Sequence, residues 1–164
     1  MNDTLKIVQE KIYNKCSLPI TDYLEEIESK EYKASQFQLS DKSIICRDSK
    51  ITPKKIGQFV TFWKRKDEGP IEPFREKDSF DFFVVNVKAG DKLGQFVFPI
   101  SVLIKKGIIS TSKKEGKRAI RVYPSWDTPL NATAIRTQKW QLDYFYELNP
   151  ATDLEKVKAL YDNK

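Results

Sequence analysis

Hydrophobic and polar positions repeat with two different periods, and these periods divide the chain into three parts. Near the N-terminus, apolar residues recur every three or four positions, at Leu5, Val8 and Ile12. This spacing predicts an amphipathic first helix that ends before Pro19. Apolar residues among glutamates over 23–28 predict a second short helix.

The middle of the chain alternates apolar and polar residues, which is typical of β-strands. Residues 37–47 predict a hairpin with its turn at Asp41 and Lys42. Further strands, rich in β-branched and aromatic residues, are predicted at 58–63, 80–87, 95–98 and 119–123. Residues 82–85 are apolar on both faces, so we expect that strand to lie in the centre of the sheet, between helices.

Helical spacing returns in the last third of the chain. Before this region, the sequence predicts a short helix over 101–106 that ends at Gly107. Asn131 is the predicted N-cap of a long helix over 131–148, and Thr152 with Glu155 forms a predicted capping box for a final helix. This order of elements predicts an α/β fold with a single mixed β-sheet flanked by helices.

The length of 164 residues corresponds to one domain. Within this single domain, 1–164, we expect an N-terminal helical segment (1–34), a core (35–148) and a C-terminal helix (149–164). The N-terminus mixes charged and aliphatic residues, and no later segment contains the run of about eighteen apolar residues that a membrane span needs. We therefore expect a cytoplasmic protein without membrane contact.

The chain contains no histidine, and this excludes several kinds of site. Nucleophiles activated by imidazole and zinc held by histidine are both ruled out. The two cysteines, Cys16 and Cys46, lie far apart in sequence and predict neither a disulfide scaffold nor a zinc site. A catalyst on this chain would have to use carboxylates, lysine, tyrosine or a metal held by oxygen.

Positive charge is concentrated in the middle of the chain. The net charge is +6, but residues 35–141 carry twenty-one basic and eleven acidic side chains, a net +10. The two ends are each mildly acidic. This distribution is typical of a cationic face for a polyanion, and a solvated lysine-rich surface would give a similar count.

Residues 47–57 contain a candidate anion site. Thr52 can cap a single helical turn, with Pro53 at its first position and Gly57 after its end. Such a turn would direct free N–H groups towards an anion beside Lys50, Lys54 and Lys55. An ordinary solvated turn is the alternative.

Cations and aromatic rings also alternate elsewhere, a pattern that suits phosphates and unpaired bases. It occurs around Lys64 and Arg65, and from Arg118 through Arg121 to Trp126. On the predicted long helix, Arg136 shares a face with Trp140 and Tyr144. These rings either pack in the core, which is the commoner fate of large aromatics, or form a platform for stacking bases.

The acidic candidates for catalysis flank the predicted central strand. Asn86, Val87 and Lys88 have the outline of an acid-x-lysine triplet, with an amide in place of the acid. Asp81 opens the same strand. A metal-dependent nuclease needs at least two carboxylate ligands and a lysine around one metal-bound water, and Asn86 brings no negative charge.

Six short motifs occur in a fixed order within about 35–148: RDSKITPKKIGQFVTFWKRK, GPIEPF, DFFVVNV, GQFVFP, RVYPSWD and QKWQLDYF. This ordered series resembles the MepB family of small bacterial proteins. The resemblance implies a core similar to that of PD-(D/E)XK, or restriction-endonuclease-like, nucleases. The family takes its name from a gene beside a multidrug efflux transporter, which implies a link to the antimicrobial response.

The nuclease motif transfers only in part. Asp81 matches its first aspartate, but Gln95 and Val97 stand where the second acid and the lysine belong. The resemblance therefore implies a nuclease fold with a degenerate active site, with Asp81, Asn86, Lys88 and Gln95 as its remnants, that keeps a basic cleft for nucleic acid.

These observations predict a non-catalytic nucleic-acid-binding protein that prefers RNA or single-stranded DNA to duplex. It would use no cofactor and no metal. The predicted binding residues are Lys50, Lys54, Lys55, Lys64, Arg65, Arg118, Arg121, Trp126, Arg136 and Trp140. A metal-dependent nuclease with an unorthodox site and an adaptor for an acidic protein partner are the alternatives, and the oligomeric state is open.

Overall fold

A six-stranded mixed sheet forms the centre of the protein. The computed structural model describes residues 1–163, and Lys164, the last residue of the predicted C-terminal segment, lies outside them. The sheet order is β1-β2-β3-β8-β9-β11. Its strands are β1 (Ile20–Glu25), β2 (Ser35–Leu39), β3 (Lys42–Asp48), β8 (Phe82–Ala89), β9 (Lys92–Pro99) and β11 (Phe145–Glu147).

Two small sheets and four α-helices complete the fold within residues 1–163. A three-stranded sheet has the order β10-β5-β4, and β6 pairs with β7. These strands are β4 (Lys50–Ile51), β5 (Gln58–Thr61), β6 (Lys64–Arg65), β7 (Ile71–Glu72) and β10 (Ala119–Val122). The α-helices are α1 (Asp3–Val8), α2 (Ile100–Lys105), α3 (Ala132–Gln141) and α4 (Leu154–Asp162). The predicted α/β class, with one mixed main sheet flanked by helices, is confirmed.

The main sheet is mixed because one of its pairs is parallel. β3 and β8 run parallel, with Asp48 opposite Asn86. β8 and β9 form a hairpin in which Asn86 lies opposite Gln95. The other neighbouring pairs of the sheet are antiparallel. The predicted hairpin over 37–47 and the predicted strands of the middle region are therefore present, with small shifts at their ends.

Both faces of the central strand β8 are buried, as the sequence predicts. On one face, α1 and α4 cover Phe82 and Val84. On the other, α2 and the β10-β5-β4 sheet cover Phe83 and Val85, and the Phe62 and Phe83 rings stack with centroids 4.0 Å apart. Because side chains alternate along the strand, β8 contributes residues to two separate cores.

The first helix is confirmed, and the predicted second helix is wrong. Asn2 caps α1 by accepting a hydrogen bond from the Leu5 amide at 2.9 Å, and helical turns of other types continue to Cys16. Residues predicted as the second helix begin in β1, which pairs with β2 at the edge of the sheet. Tyr23 stacks on Phe37 there, so tertiary packing overrides the short helical pattern.

The predicted helical turn over 52–57 does not form. Lys50 and Ile51 pair with β5 instead, so the following residues make a tight connection between two strands. Gly57 ends this connection with a φ of +86°. The predicted helix N-terminus with its free N–H groups is therefore absent from this loop.

The long C-terminal helix is shorter than predicted. Asn131 caps α3 by accepting from the Ala134 amide at 2.8 Å, but the α-helix ends at Gln141. Phe145 and Tyr146 pair with β9 as a strand, because their side chains fill the two cores on opposite faces of the sheet. At the last helix, the cap is Asp153 rather than Thr152.

No helix in residues 1–163 is both long enough and apolar enough to span a membrane. The short helix after β9 is confirmed as α2, and Gly107 follows it with a φ of +70°.

Candidate nucleic-acid interface

A row of polar side chains crosses the main sheet on the face covered by α1 and α4. The Asn86 Nδ2 donates to the Asp48 Oδ1 at 2.9 Å, and the Gln95 Nε2 donates to the Asn86 Oδ1 at 2.7 Å. Asn86 and Gln95 are buried, whereas Asp48 is half-buried at the end of the row. This polar row, completed by Lys88 on the same face of β8, pairs one carboxylate with two neutral amides.

Three buried tyrosines close one end of the polar row by converging on the Gln95 Oε1. The hydroxyl oxygens of Tyr13 and Tyr161 lie 3.2 and 3.3 Å from it, and they lie 2.6 Å from each other. The Tyr146 hydroxyl also donates to the Gln95 Oε1. Burial raises the pKa of all three phenols, so they stay protonated. Gln95 therefore joins the N-terminal and C-terminal helices to the sheet.

Asp48 and Lys88 form the solvent end of the polar row. Burial raises the pKa of the Asp48 carboxyl, and the Asn86 hydrogen bond and the Lys88 charge act against that rise. The Lys88 Nζ lies 3.4 Å from the Thr4 Oγ1 of α1. Within residues 1–163, no group of three or more cysteine, aspartate or glutamate side chains is arranged to hold a metal ion.

Three of the four predicted remnants of a catalytic site lie in the polar row, and Asp81 does not join them. Asp81 immediately precedes β8, at the opposite end of the strand from the polar row. It lies about 17 Å from Asn86 along the strand direction. Its Oδ2 accepts a hydrogen bond from the Ser43 amide at 2.8 Å, which ties β3 to β8. Asp48 instead supplies the carboxylate of the polar row. The sequence analysis missed it because only the parallel pairing of β3 with β8 brings Asp48 beside Asn86.

A cationic groove lies on the opposite side of the main sheet, between β10 and α3. It has an inner pocket of about 530 Å³ and an outer pocket of about 540 Å³, which share Arg121, Tyr123, Asn131 and Ala134. Lys106 and Lys117 line the inner pocket, and Lys54 and Lys55 line the outer one. In the described chain, five cations and no acidic side chain line the groove.

The groove cations are not neutralised by partners. Lys54, Lys55, Lys106 and Lys117 form no ion pair within residues 1–163. The Arg121 Nη1 donates to the Gly57 carbonyl at 3.1 Å, which fixes the guanidinium against the loop that carries Lys54 and Lys55. These unpaired cations favour the binding of an anion in both pockets.

Two glutamines hold the walls of the groove together. The Gln141 Oε1 accepts from the Tyr123 amide at 2.9 Å, and its Nε2 donates to the Arg121 carbonyl at 3.0 Å. The Gln138 Nε2 donates to the Asp127 carbonyl at 2.8 Å. The side chain of Gln141 thus satisfies the free edge of β10 as a neighbouring strand would, and it sets the distance between β10 and α3.

Four of the ten predicted binding residues line the groove: Lys54, Lys55, Arg121 and Trp140. Of the other cations, four lie in ion pairs elsewhere. Lys64 contacts Asp78 at 2.7 Å, Arg65 contacts Glu28 at 3.0 Å, Arg118 contacts Glu115 at 3.1 Å and Lys50 contacts Glu31 at 3.8 Å.

The two remaining predicted residues also lie outside the groove lining. Arg136 is exposed on α3, with its Nη2 3.4 Å from the Thr133 Oγ1. Trp126 packs against the core beside Phe145, with ring centroids 5.9 Å apart. Lys106, Lys117 and Tyr123 line the groove outside the ten predicted binding residues, although Tyr123 lies in the predicted cation–aromatic segment 118–126. The contribution of Lys106 depends on the packing of α3 against β10 and left no local pattern.

A family model described as MepB-like matches residues 26–147. The chain belongs to the MepB-like family. The match includes all five groove cations and the whole polar row, whereas Tyr13 and Tyr161 lie outside it. The family resemblance drawn from the sequence motifs is therefore confirmed.

A solved member of the MepB family has a similar structure. The crystal structure of MepB is 33% identical, with a TM-score of 0.78, and the match covers 91% of this chain and 99% of that one. A bacterial homing endonuclease is 16% identical, with a TM-score of 0.47, over 98% of this chain and 93% of that one. No curated protein sequence matches the chain.

Proposed function

We propose that the protein binds single-stranded nucleic acid, RNA or DNA, in the cationic groove and does not hydrolyse it. The observation that carries this proposal is a groove lined by five cations and no acidic side chain. A polyphosphate backbone is the ligand that such a lining attracts most strongly. Tyr123 and Trp140 in the same lining offer aromatic surface to bases.

The preference for single strands rests on the aromatic rings in the groove lining. An extended strand can place its phosphates on the cations and its unpaired bases against the Tyr123 and Trp140 rings. In a duplex the bases are stacked and paired, so these rings would have no free base to contact. We therefore expect weaker binding to duplex DNA.

The lack of hydrolysis rests on the chemistry of the polar row. A divalent metal needs several oxygen ligands with negative charge, and Asp48 has two amides beside it. The Gln95 Oε1 is already occupied by tyrosine hydroxyls. We propose that this row has a structural role.

We also propose that the protein binds nucleic acid in the cytoplasm.

Salt dependence tests the binding proposal. With three to five phosphates bound, the slope of log K against log salt is expected to be roughly −2 to −3.5 for a single strand. Absent binding at low salt, or affinity that does not change with salt, would contradict the proposal. Incubating the same oligonucleotides with Mg²⁺ or Mn²⁺ tests the second part, since cleavage lost in Asp48→Asn would assign a nuclease site to the polar row.

We also propose that the protein acts in the antimicrobial response that the family name implies. Complementation of a deletion strain provides its test. We expect the wild-type chain, and not a chain with Lys54→Glu and Lys55→Glu, to restore antimicrobial susceptibility to the parental level.

A further inference from the structure

The inner pocket of the groove is built differently from the outer one. Its apolar lining consists of the buried Ile108, Ile120 and Ala134 and the half-buried Trp140. Its cationic lining consists of the exposed Lys106 and Lys117 and the half-buried Arg121. A volume of about 530 Å³ lies within the range of small-ligand pockets. The combination of an apolar and a cationic lining suits a flat apolar ring that carries a phosphate.

The Trp140 ring is fixed in the wall of this pocket. It packs on Phe98, with centroids 5.5 Å apart, so the core holds one side of the indole in place. The Lys106 Nζ stands over the indole ring, 5.3 Å from its centroid, in a cation–π contact. A base that stacks on this indole would displace the Lys106 ammonium, which could then contact the phosphate of the same nucleotide.

Three of the polar side chains that line the pocket are already engaged within the protein. Asn131 caps α3, and Gln141 hydrogen-bonds the backbone of β10 through both its oxygen and its nitrogen. The Thr137 hydroxyl donates to the Thr133 carbonyl at 3.0 Å. Few donors and acceptors remain to distinguish one base from another, because base identity is read through such groups.

We propose that the inner pocket holds one unpaired nucleobase of the bound strand and does not select among the bases. This inference rests on the proposed function, since the strand that supplies the base is held by the groove cations. It predicts that a base, and not only a phosphate backbone, is required for full affinity.

The test compares strands that differ only in their bases. The probes are a thymidine oligonucleotide, a cytidine oligonucleotide and an all-abasic strand, each of about twelve nucleotides with the same number of phosphates. Fluorescence anisotropy at low salt gives their affinities. We expect the abasic strand to bind at least about fivefold more weakly than the thymidine strand, as the loss of one stacked base would produce. The thymidine and cytidine strands should agree within about threefold, because the pocket does not read base identity.

Two variants of α3 test the location of the pocket. Thr137→Trp fills the inner pocket, whereas Ile135→Trp adds the same side chain at a half-exposed position that lines neither pocket. We expect Thr137→Trp to lower thymidine-strand affinity to the abasic level and to leave abasic affinity unchanged. Ile135→Trp should keep the wild-type preference. Thr133→Trp, at an exposed position that also lines the inner pocket, gives a second filling variant if the first does not fold.

The outcomes separate this inference from the proposed function. Equal affinity for the abasic and thymidine strands, or a preference that survives pocket filling, overturns the base pocket while groove binding stands. A more than tenfold preference for one base overturns the lack of selection. No binding of any strand at low salt overturns the proposed function itself.

Discussion

Asn86 lies directly beside Asp48 on a neighbouring parallel strand, and its Nδ2 donates to the Asp48 Oδ1 at 2.9 Å. A carboxylate at the position of Asn86 would give two adjacent acids with Lys88 two residues further on. The amide instead satisfies Asp48 with a hydrogen bond and adds no negative charge. The polar row therefore contains one carboxylate, Asp48, and a neutral amide where a second acid would stand.

Asn86→Asp should destabilise the protein by about 2 to 4 kcal/mol at neutral pH, because it buries a second carboxylate against Asp48. Both burial and the neighbouring charge would raise its pKa, so protonation at acidic pH should recover part of the loss. Urea unfolding at neutral pH and near pH 5 measures both effects. Asn14→Asp, at an exposed position, is the matched control, and equal stability of the two variants at neutral pH would contradict this account.

Asp48→Asn should stabilise the protein at neutral pH. Burial raises the pKa of the Asp48 carboxyl in the folded state, so the folded protein binds this proton more tightly than the unfolded chain does. Stability therefore falls as pH rises from about 4, the ordinary carboxyl value, through the folded pKa. Asparagine at position 48 does not ionise, so the variant avoids this loss of stability. Its amide oxygen can still accept the hydrogen bond from the Asn86 Nδ2. Thermal unfolding should show a higher Tm for the variant at neutral pH and a difference that shrinks towards acidic pH; the reverse trend would show that the Asp48 charge stabilises the fold.

Arg47→Ala should cost about 3 to 5 kcal/mol, the range for breaking a buried ion pair. The Arg47 side chain is 1% exposed, and its Nη2 contacts the Glu26 Oε2 at 2.9 Å. Its Nη1 also donates to the Thr61 carbonyl at 3.0 Å, which links β3 to β5. Glu26→Gln keeps an acceptor for the guanidinium and should cost less. Chemical unfolding of both variants measures this order, and a cost below about 1 kcal/mol for Arg47→Ala would contradict a structural role for the pair.

Gly57→Ala should weaken oligonucleotide binding as well as stability. A Cβ at Gly57 would lie 2.7 Å from the Tyr123 ring, at a φ of +86°, so the ring or the loop of Lys54 and Lys55 must move. Gly90→Ala is the matched control, because Gly90 has a φ of +61° and no atom within 4 Å of an added Cβ. Each substitution should cost about 1 to 3 kcal/mol from backbone strain. Only Gly57→Ala should lower the affinity for the oligonucleotide. Equal affinity of the two variants would show that Tyr123 is not part of the binding surface.

Local patterns predicted most elements, but not the pairing between distant ones. The apolar run 82–85 indicated a central strand because burial on both faces leaves a direct trace in sequence. The segment over 23–28 and Phe145 were assigned to helices, since strand pairing with β2 and β9 depends on partners far away in the chain. Lys54 and Arg121 were predicted as phosphate contacts from local charge. Asp48 and Lys106 were missed because the polar row and the groove form only when separate elements pack together.

Charge reversal in the groove tests the central claim most directly. Lys54→Glu with Lys55→Glu places two negative charges in the outer pocket, and Lys11→Glu with Lys15→Glu makes the same change at exposed positions of the N-terminal helical segment, on the other side of the sheet. The measurement is the affinity for a single-stranded oligonucleotide as a function of salt. We predict that the groove variant loses at least about tenfold in affinity at low salt, and that its salt slope is smaller by about 1.4, the value for two phosphate contacts. The control variant should keep the wild-type slope. Equal losses in the two variants would contradict binding in the cationic groove.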